Sequence, residues 1–574
     1  MKRSARTLTA ALTFLASLAA ALPARADDPP VRTDEAEDAA ARRAAPRPVI
    51  EPWSDADPKE EGKRYSLGDF GFRAGAEYRA QLTYINPISL NTENAREVSF
   101  IEHRLRADLG VDYKDKVRLV FSSDVLDGVL WGDNGTYGGD PSSNAGTNVN
   151  VKNPNISRPC VALRGGDPLD SQSYGYTICS ADYFKVRKLY GEVVLPFGLL
   201  RVGRQPVNIG TGVQAADGDG RPNRFGISRT GNVVDRILFA TKPLEAFKPK
   251  HLRSTSPNDG LILALAYDRW VTDDPQNLGA AVNQWDTALR FATPDWPGGH
   301  DLLLAAYHAY RWDGQFGSKI NSFGVRAISG FGPVTFGVDV AANVGTTREI
   351  ASSYHVITND PVVDQPVRQL GARAVLRYDH KYFSVYLEGD YASGDEDPQA
   401  RTPLTQFSFA EDANIGLLMF KHILAFQTAR ASAAGVEVLR RLNAPSLPAE
   451  AVATRGAFTN GIAIFPQLDV RPLPGLLLRG GVLVAWAASK VVDPIASLQR
   501  RDGLSIADDL VNFAGGKPGS FYGTELDGRI QYRFLDHFLL DLEGAVLFPG
   551  DAFKNQDGYA VRSGLLNVRT TFYF

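Results

Sequence analysis

Sulfur is scarce in this 574-residue chain, which has two cysteines and two methionines. No CxxC pair occurs, which removes the thiol-redox and zinc-ribbon classes. The eight histidines form no HExxH spacing, and neither a GxSxG elbow nor a Walker loop is present. Hydrolytic and nucleotide-driven machinery therefore has no visible basis, and no cofactor, metal site or catalytic residue is expected. Excess charge of one sign is missing too. The 62 Lys and Arg stand against 65 Asp and Glu, for a net −3, whereas a nucleic-acid binder needs a basic surface. Beyond the N-terminus no stretch offers the ~20 apolar residues of a membrane helix.

What is present starts with an export signal. Lys2, Arg3 and Arg6 precede a short apolar run from Leu8 to Leu22, and Ala24-Arg25-Ala26 follows as a small-x-small site. Residues 1–26 read as a signal peptide. Residues 27–64, rich in Asp, Glu, Arg, Ala and Pro, lack apolar periodicity. They are expected as a disordered periplasmic lead-in, since they offer little apolar surface to offset ordering entropy.

From Tyr65 a period of two takes over and holds to the end. Ala74, Ala76, Tyr78, Ala80, Leu82 and Tyr84 alternate with Arg73, Glu77, Arg79, Gln81 and Thr83. Such alternation puts an apolar set and a charged set on opposite faces of one strand. The run exceeds the ~9–11 tilted residues that cross a bilayer. Ile101 to Tyr113, Phe383 to Tyr391, Leu526 to Tyr532 and Phe538 to Phe548 repeat the device.

About eighteen strands follow from this walk, an even number as single-chain bacterial barrels have. They start near Phe72, Ile101, Val117, Phe184, Leu199, Val233, Leu261, Asn283 and Asp301, then near Ser322, Pro333, Arg368, Tyr382, Ile462, Leu476, Tyr522, Phe538 and Tyr559. Short links at 114–116, 196–198, 330–332, 379–381 and 472–475 alternate with long ones at 126–183, 392–461 and 488–521. That asymmetry fits short periplasmic turns and long extracellular loops. The fold class is therefore all-β: a transmembrane antiparallel barrel over residues 65–574 in a Gram-negative outer membrane.

Cys160 and Cys179 share one long loop, where a disulfide would stiffen it. Within the 392–461 loop, Ile415, Leu418, Met419, Ile423 and Phe426 recur at helical spacing. This segment either packs on the barrel rim or folds into the lumen as a plug. The acidic turns Asp217-Gly218-Asp219-Gly220 and Asp395-Glu396-Asp397 lack the EF-hand spacing and read as solvated loops.

The charged faces carry the functional expectation. Arg73, Arg79, Arg104, Arg106, Arg118, Arg373, Arg377, Arg479, Arg529 and Arg569 should line the interior beside acids such as Glu388 and Asp390. Either these charges satisfy one another across strands, or the guanidinium forks grip carboxylate-bearing solutes bidentately.

Several stretches resemble the alginate-export family of outer-membrane barrels. They are Val202-Gly203-Arg204-Gln205 with Arg229 and Val234-Asp235; Asp390-Tyr391-Ala392-Ser393-Gly394-Asp395; and Tyr522-Gly523-Thr524-Glu525-Leu526-Asp527 with Leu547-Phe548-Pro549-Gly550-Asp551. The resemblance spans Tyr65 to Phe574. It implies an eighteen-stranded channel that lets an anionic polysaccharide leave the cell. The expected partners are outer-membrane lipid, an anionic polysaccharide or small anionic solute, and periplasmic export machinery. A nutrient-uptake porin and a non-conducting scaffold barrel are the alternatives. Leu566, Val568, Thr570, Phe572 and Phe574 form the lipid face of the closing strand, with Arg569 inward. An aromatic final residue on such a strand resembles the assembly signal of outer-membrane barrels.

Overall fold

The computed structural model of the chain describes residues 49–53, 64–90, 97–132, 182–207, 211–215, 223–227, 232–249, 253–254, 256, 259–272, 282–411, 413–445, 447–494, 497, 519–534, 537–555 and 557–574. The signal peptide, Cys160, Cys179, Arg229 and the Asp217 turn lie outside them.

Nineteen strands occur among the described residues. In chain order they are β1 (Arg64–Leu67), β2 (Phe70–Asn86), β3 (Val98–Tyr113), β4 (Val117–Gly132), β5 (Asp182–Leu195) and β6 (Gly198–Pro206). Next come β7 (Val233–Thr241), β8 (Gly260–Thr272), β9 (Asn283–Trp296), β10 (Gly299–Trp312), β11 (Lys319–Phe331), β12 (Val334–Thr347) and β13 (Gln365–Asp379). The last six are β14 (Phe383–Ala392), β15 (Gly461–Leu473), β16 (Leu476–Trp486), β17 (Phe521–Phe534), β18 (Phe538–Pro549) and β19 (Ser563–Tyr573).

Each strand from β2 to β19 pairs antiparallel with its sequence neighbours. The sheet closes where β19 meets β2, with Leu565 opposite Ile85 and Tyr573 opposite Glu77. Closure leaves no unpaired edge in hydrocarbon, which is the condition for crossing a membrane with strands. Eighteen strands form the barrel, and all eighteen sequence-derived starts fall within four residues of those observed.

The short β1 was not expected. It pairs with β2 at Arg64–Arg73 and Leu67–Phe70, covering the part of β2 that extends past the end of β19. Phe574 completes that corner by exchanging backbone hydrogen bonds with Ala76, at 3.0 and 2.9 Å.

Outward residues are apolar, with Leu119, Leu265, Leu304, Leu387 and Leu526 exposed along the middle of the strands. Aromatic rings gather near both strand ends. Tyr267 packs 4.9 Å from Trp285, and Tyr310 lies 5.5 Å from Trp312 at the outer ends. Trp296 meets Phe331 edge-on at 5.3 Å, and Phe538 lies 5.0 Å from Phe572 at the periplasmic ends. Two such belts are what Tyr, Trp and Phe form at bilayer interfaces. None of the described helices is long and apolar enough to cross the membrane.

The polar-in, apolar-out pattern is obscured in the sequence near Gly203, although the register of β6 runs through it without a shift. Gly203 has φ +129°, and a Cβ there would lie 2.3 Å from the Leu189 carbonyl oxygen and 2.8 Å from Tyr190 Cα. In β6 and β7, Arg204 and Asp235 then join on the outer face, in register with exposed Leu189. Their two hydrogen bonds measure 2.9 and 3.1 Å.

Replacing Gly203 by alanine forces a side chain into backbone atoms at a positive φ, a strain of about 1–3 kcal/mol. Gly203→Ala should therefore yield less folded barrel in an unboiled gel-shift assay. A wild-type yield of the compact band would contradict this account.

Candidate functional site

The inner wall is built as the alternation dictates. Every arginine expected to line the interior sits on an inward register position, and most are tied to acids on neighbouring strands. Arg104 Nη2 lies 2.5 Å from Glu77 Oε1, and Arg106 grips both oxygens of Asp124 at 2.6 and 2.9 Å. Arg479 holds Asp469 through two 2.7 Å bonds. Arg529 and Arg569 share Asp541, and Arg569 also reaches Glu543 at 3.1 Å. Arg373 sits 2.8 Å from Asp390 and 3.3 Å from Glu388. Arg79 is buried on the same wall and Arg73 half-buried.

Pairing across strands is thus the first role of the ladder. Buried charges need partners of this quality, because desolvation otherwise exceeds the Coulombic gain. The side chains of Arg104, Arg106, Arg479, Arg529 and Arg569 are at most 2% exposed.

The second role is to hold irregular backbone inside the barrel. The 392–461 loop enters the lumen and forms a π-helix, Met419–Leu424, which continues into α-helix Ala425–Arg441. Glu525 on β17 accepts the backbone N–H groups of Leu417, Leu418 and Met419 at 2.7, 2.8 and 2.6 Å. A carboxylate thus meets the exposed donors and positive dipole end of a helix N-terminus. Gly416, at φ +71°, is needed for this approach, since its Cβ would stand 2.8 Å from Glu525 Oε1.

Two segments of the β6–β7 loop are held in the same manner. Arg373 donates to the Thr211 carbonyl at 2.6 Å, and the Thr211 hydroxyl donates to Asp339. Gly226 N–H donates to Glu543 at 2.9 Å. Arg479 and Arg529 both donate to the Arg224 carbonyl, while the Arg224 guanidinium stacks 3.3 Å above the Tyr386 ring and reaches Asp469 at 3.0 Å. Around these anchors Val213, Phe225, Ile415, Leu418, Phe420 and Phe458 form an apolar core against the inward faces of the surrounding strands.

Both alternatives for the Ile415–Leu442 segment find a place. Its first part packs within the lumen. The later part, through Val436 and Leu439, packs on Tyr354 of the rim helix Glu349–Thr358. Burial and the neighbouring Lys421 ammonium push His422 down to about 3, so it stays neutral inside the filling. Burial also raises the Asp395 carboxyl above its usual range, although it accepts N–H groups from Thr405 and Asp397.

Not every inward arginine is sealed. Arg118, Arg201, Arg377 and Arg471 keep 38, 30, 18 and 44% of their side-chain surface, and Arg533 is also exposed. Each lies within three residues of the periplasmic end of its strand. Together they line the periplasmic vestibule, with Glu192 and Asp379 as partial counter-charges.

Arg201, Arg471 and Arg533 were not among the residues singled out from the sequence. Arg201 is hidden because Arg204, paired with Asp235 on the outer face, breaks the polar-in, apolar-out pattern of β6. Arg471 and Arg533 sit where strands run into turns and the alternation ends.

The described part of the lead-in differs from the expectation for 27–64. Residues 49–53 pack inside the vestibule, with Val49 and Trp53 buried against Ala292, Leu303, Ile328, Val375 and Tyr386. A Trp and a Val in a polar stretch supply enough apolar surface to seat these five residues against a wall.

A family model described as alginate export matches residues 267–564, just over half of the chain. No curated protein matches it in sequence. Among solved structures, Acinetobacter baumannii OccAB1 aligns over 91% of this chain and 99% of its own, at 10% identity and TM-score 0.46. Pseudomonas aeruginosa OccK2 (OpdF) in complex with glucuronate aligns over 87% and 96%, at 9% identity and TM-score 0.40. Pseudomonas aeruginosa OpdK with vanillate aligns over 87% and 98%, at 9% identity and TM-score 0.43.

Glu525 anchors the filling, so its removal is diagnostic. In Glu525→Ala three backbone donors lose their acceptor, at about 1–3 kcal/mol for each group left unsatisfied. The 392–461 loop should then become cleavable by protease added to folded protein, and single-channel conductance should rise. An intact loop with unchanged conductance would show that Glu525 is not the anchor.

Proposed function

Because this chain belongs to the alginate-export family and forms an outer-membrane channel, we propose that it passes an anionic polysaccharide outward by passive diffusion. One observation carries the reading: among the described inward-facing strand arginines, those most open to solvent (Arg118, Arg201, Arg377, Arg471 and Arg533) lie at the periplasmic mouth, while Arg104, Arg106, Arg529 and Arg569 are sealed in the wall. A polymer leaving the cell meets that mouth first. The planar guanidinium binds carboxylate in two-point fashion and never loses its charge, so a ring of them suits a chain of uronate sugars.

The partly paired state of the ring suits transit. Arg118 is 3.8 Å from Glu192, and Arg471 is 3.6 Å from Asp469. Contacts this loose exchange readily for a passing carboxylate and release it again. Conduction needs sites favourable enough to enter and weak enough to leave. The expected wall arginines divide accordingly. Arg79, Arg104, Arg106, Arg373, Arg479, Arg529 and Arg569 are buried in the wall and hold the structure, and Arg73, Arg118 and Arg377 meet the solute together with Arg201, Arg471 and Arg533.

A unit charge pair near 4 Å in water is worth about 1 kcal/mol. Arg118→Ala combined with Arg471→Ala should therefore weaken capture of an oligouronate by roughly ten- to thirtyfold. The assay is current block by oligouronate added on the periplasmic side of a planar bilayer. Arg204→Ala, on the outer face of the barrel, should leave the block as it is. Equal block in all three proteins would remove the vestibule arginines from the mechanism. Stronger block from the extracellular side would favour uptake over export.

A further inference from the structure

The segment at residues 49–53 does more than fill space. Its Glu51 carboxylate lies 3.4 Å from the Arg326 guanidinium, with 27 and 12% of the two side chains exposed. Arg290 on β9 and Arg326 on β11 stand in register on either side of Ala305 of β10, and Arg290 is within electrostatic reach of Glu51 and Arg326. Three further contacts aim Glu51 at this spot. The Trp53 indole N–H donates to Glu51 Oε2 at 2.9 Å. Ile50 N–H donates to Asp301 Oδ1 at 2.9 Å. Pro52 and Trp53 fill the space over Gly337, where a Cβ would meet the indole at 2.3 Å.

The Glu51–Arg326 bond is nevertheless long for a charge-assisted pair, which normally closes to about 2.7–2.9 Å. Arg326 Nε is buried with no hydrogen-bond partner. The guanidinium therefore retains donor capacity that its present partner does not use. By contrast Arg106 and Arg479 are each gripped through two bonds.

We propose that Arg326 and Arg290 form a carboxylate-binding subsite on the inner wall, deeper than the vestibule arginines, and that Glu51 occupies it as a tethered internal competitor. The ligand it takes is the carboxylate of a uronate sugar. An arriving uronate displaces Glu51, and residues 49–53 leave the wall formed by β9 to β14. The subsite deepens the export reading given above and rests on it, since uronates are the cargo that reading implies. Nothing covalent changes: one carboxylate exchanges for another on the same guanidinium.

Tethering supplies the magnitude. A ligand on a short flexible linker acts at an effective concentration of order millimolar. An internal carboxylate whose own dissociation constant is on the order of 0.1 mM then lowers the apparent affinity of an arriving sugar acid by about tenfold.

The test is calorimetric titration of sodium glucuronate into the full folded chain in detergent, with glucose as the uncharged control. Glu51→Gln should bind glucuronate about tenfold more tightly than the wild type. Trp53→Ala should do the same, because it removes the anchor and leaves the carboxylate. Adding Arg326→Gln to Glu51→Gln should abolish the gain. Glucose should show no such dependence. The same affinity in the wild type, Glu51→Gln and Trp53→Ala overturns the proposal, as does a gain that survives Arg326→Gln. If the titration behaves as expected while long polyuronate chains fail to cross vesicles bearing the protein, the subsite stands and the export reading falls.

Discussion

The carboxylate of Glu525 and the three backbone N–H groups that converge on it are the contact on which the interior depends. A barrel of eighteen strands encloses far more space than its own inward side chains can fill. Loops that fold into that space bring peptide groups with them, and at membrane depth these groups must find partners inside the protein. Regular structure satisfies part of the requirement, through the π-helix and the α-helix that follows it. The rest is met by the wall. Glu525 and Glu543 accept from N–H groups, and Arg373, Arg479 and Arg529 donate to carbonyl groups. A wall of mixed charge can serve both kinds of backbone group at once, whereas a purely cationic wall would leave the N–H groups stranded. The balance that gives the chain its near-neutral total is thus a structural requirement of the filled lumen.

The same logic explains why the charged ladder is dense along β13 to β19. Each interior anchor needs a second charge to hold the first in place. Asp469 orients Arg479, which then reaches the Arg224 carbonyl, and Asp541 does the same for Arg529. Breaking one member leaves a buried ion without a partner and a loop without its anchor. Such networks are therefore more costly to disturb than the single bonds within them suggest.

The barrel was legible because its signal is redundant: eighteen strands repeat one alternation, and a slip in one is corrected by its neighbours. Inward placement of Arg104, Arg373 and Arg529 followed from the same period. What those side chains do there was not legible. Strand period gives the face and says nothing of whether water or another loop lies opposite, so the sealed Arg479 and the open Arg118 look alike in the sequence. Partners such as Thr211 and Asp339 are 128 residues apart, and no local pattern joins them. The Tyr522–Asp527 motif was noticed as a resemblance, yet its glutamate acquires a reason only when Leu417 to Met419 stand before it. Residues 49–53 were obscured by composition. A charged, proline-rich stretch averages to disorder, and the average conceals one tryptophan and one glutamate that fit the wall.

Where the filling stops determines where the channel can act. The wall arginines gripped by two-point pairs are anchors already committed to backbone or to acids, and a solute could take them only by dismantling the interior. On the proposed reading, selectivity falls where the wall is still open, which is the periplasmic vestibule with Arg118, Arg201, Arg377 and Arg471. There the counter-charges of Arg118 and Arg471 are loose, at 3.8 and 3.6 Å, and the chain's own Glu51 reaches the wall at Arg326. An acidic side chain of the protein itself rests on that wall, with Glu51 3.4 Å from Arg326, and the proposed subsite takes its ligand by exchange with it. The vestibule can therefore be cationic enough to gather a polyanion without leaving isolated charges when it is empty. The filled, charge-balanced lumen above it limits what passes by size and path. On the export reading, recognition at the mouth and constriction within the barrel fall to different arginines by one property, whether an internal segment has already claimed them.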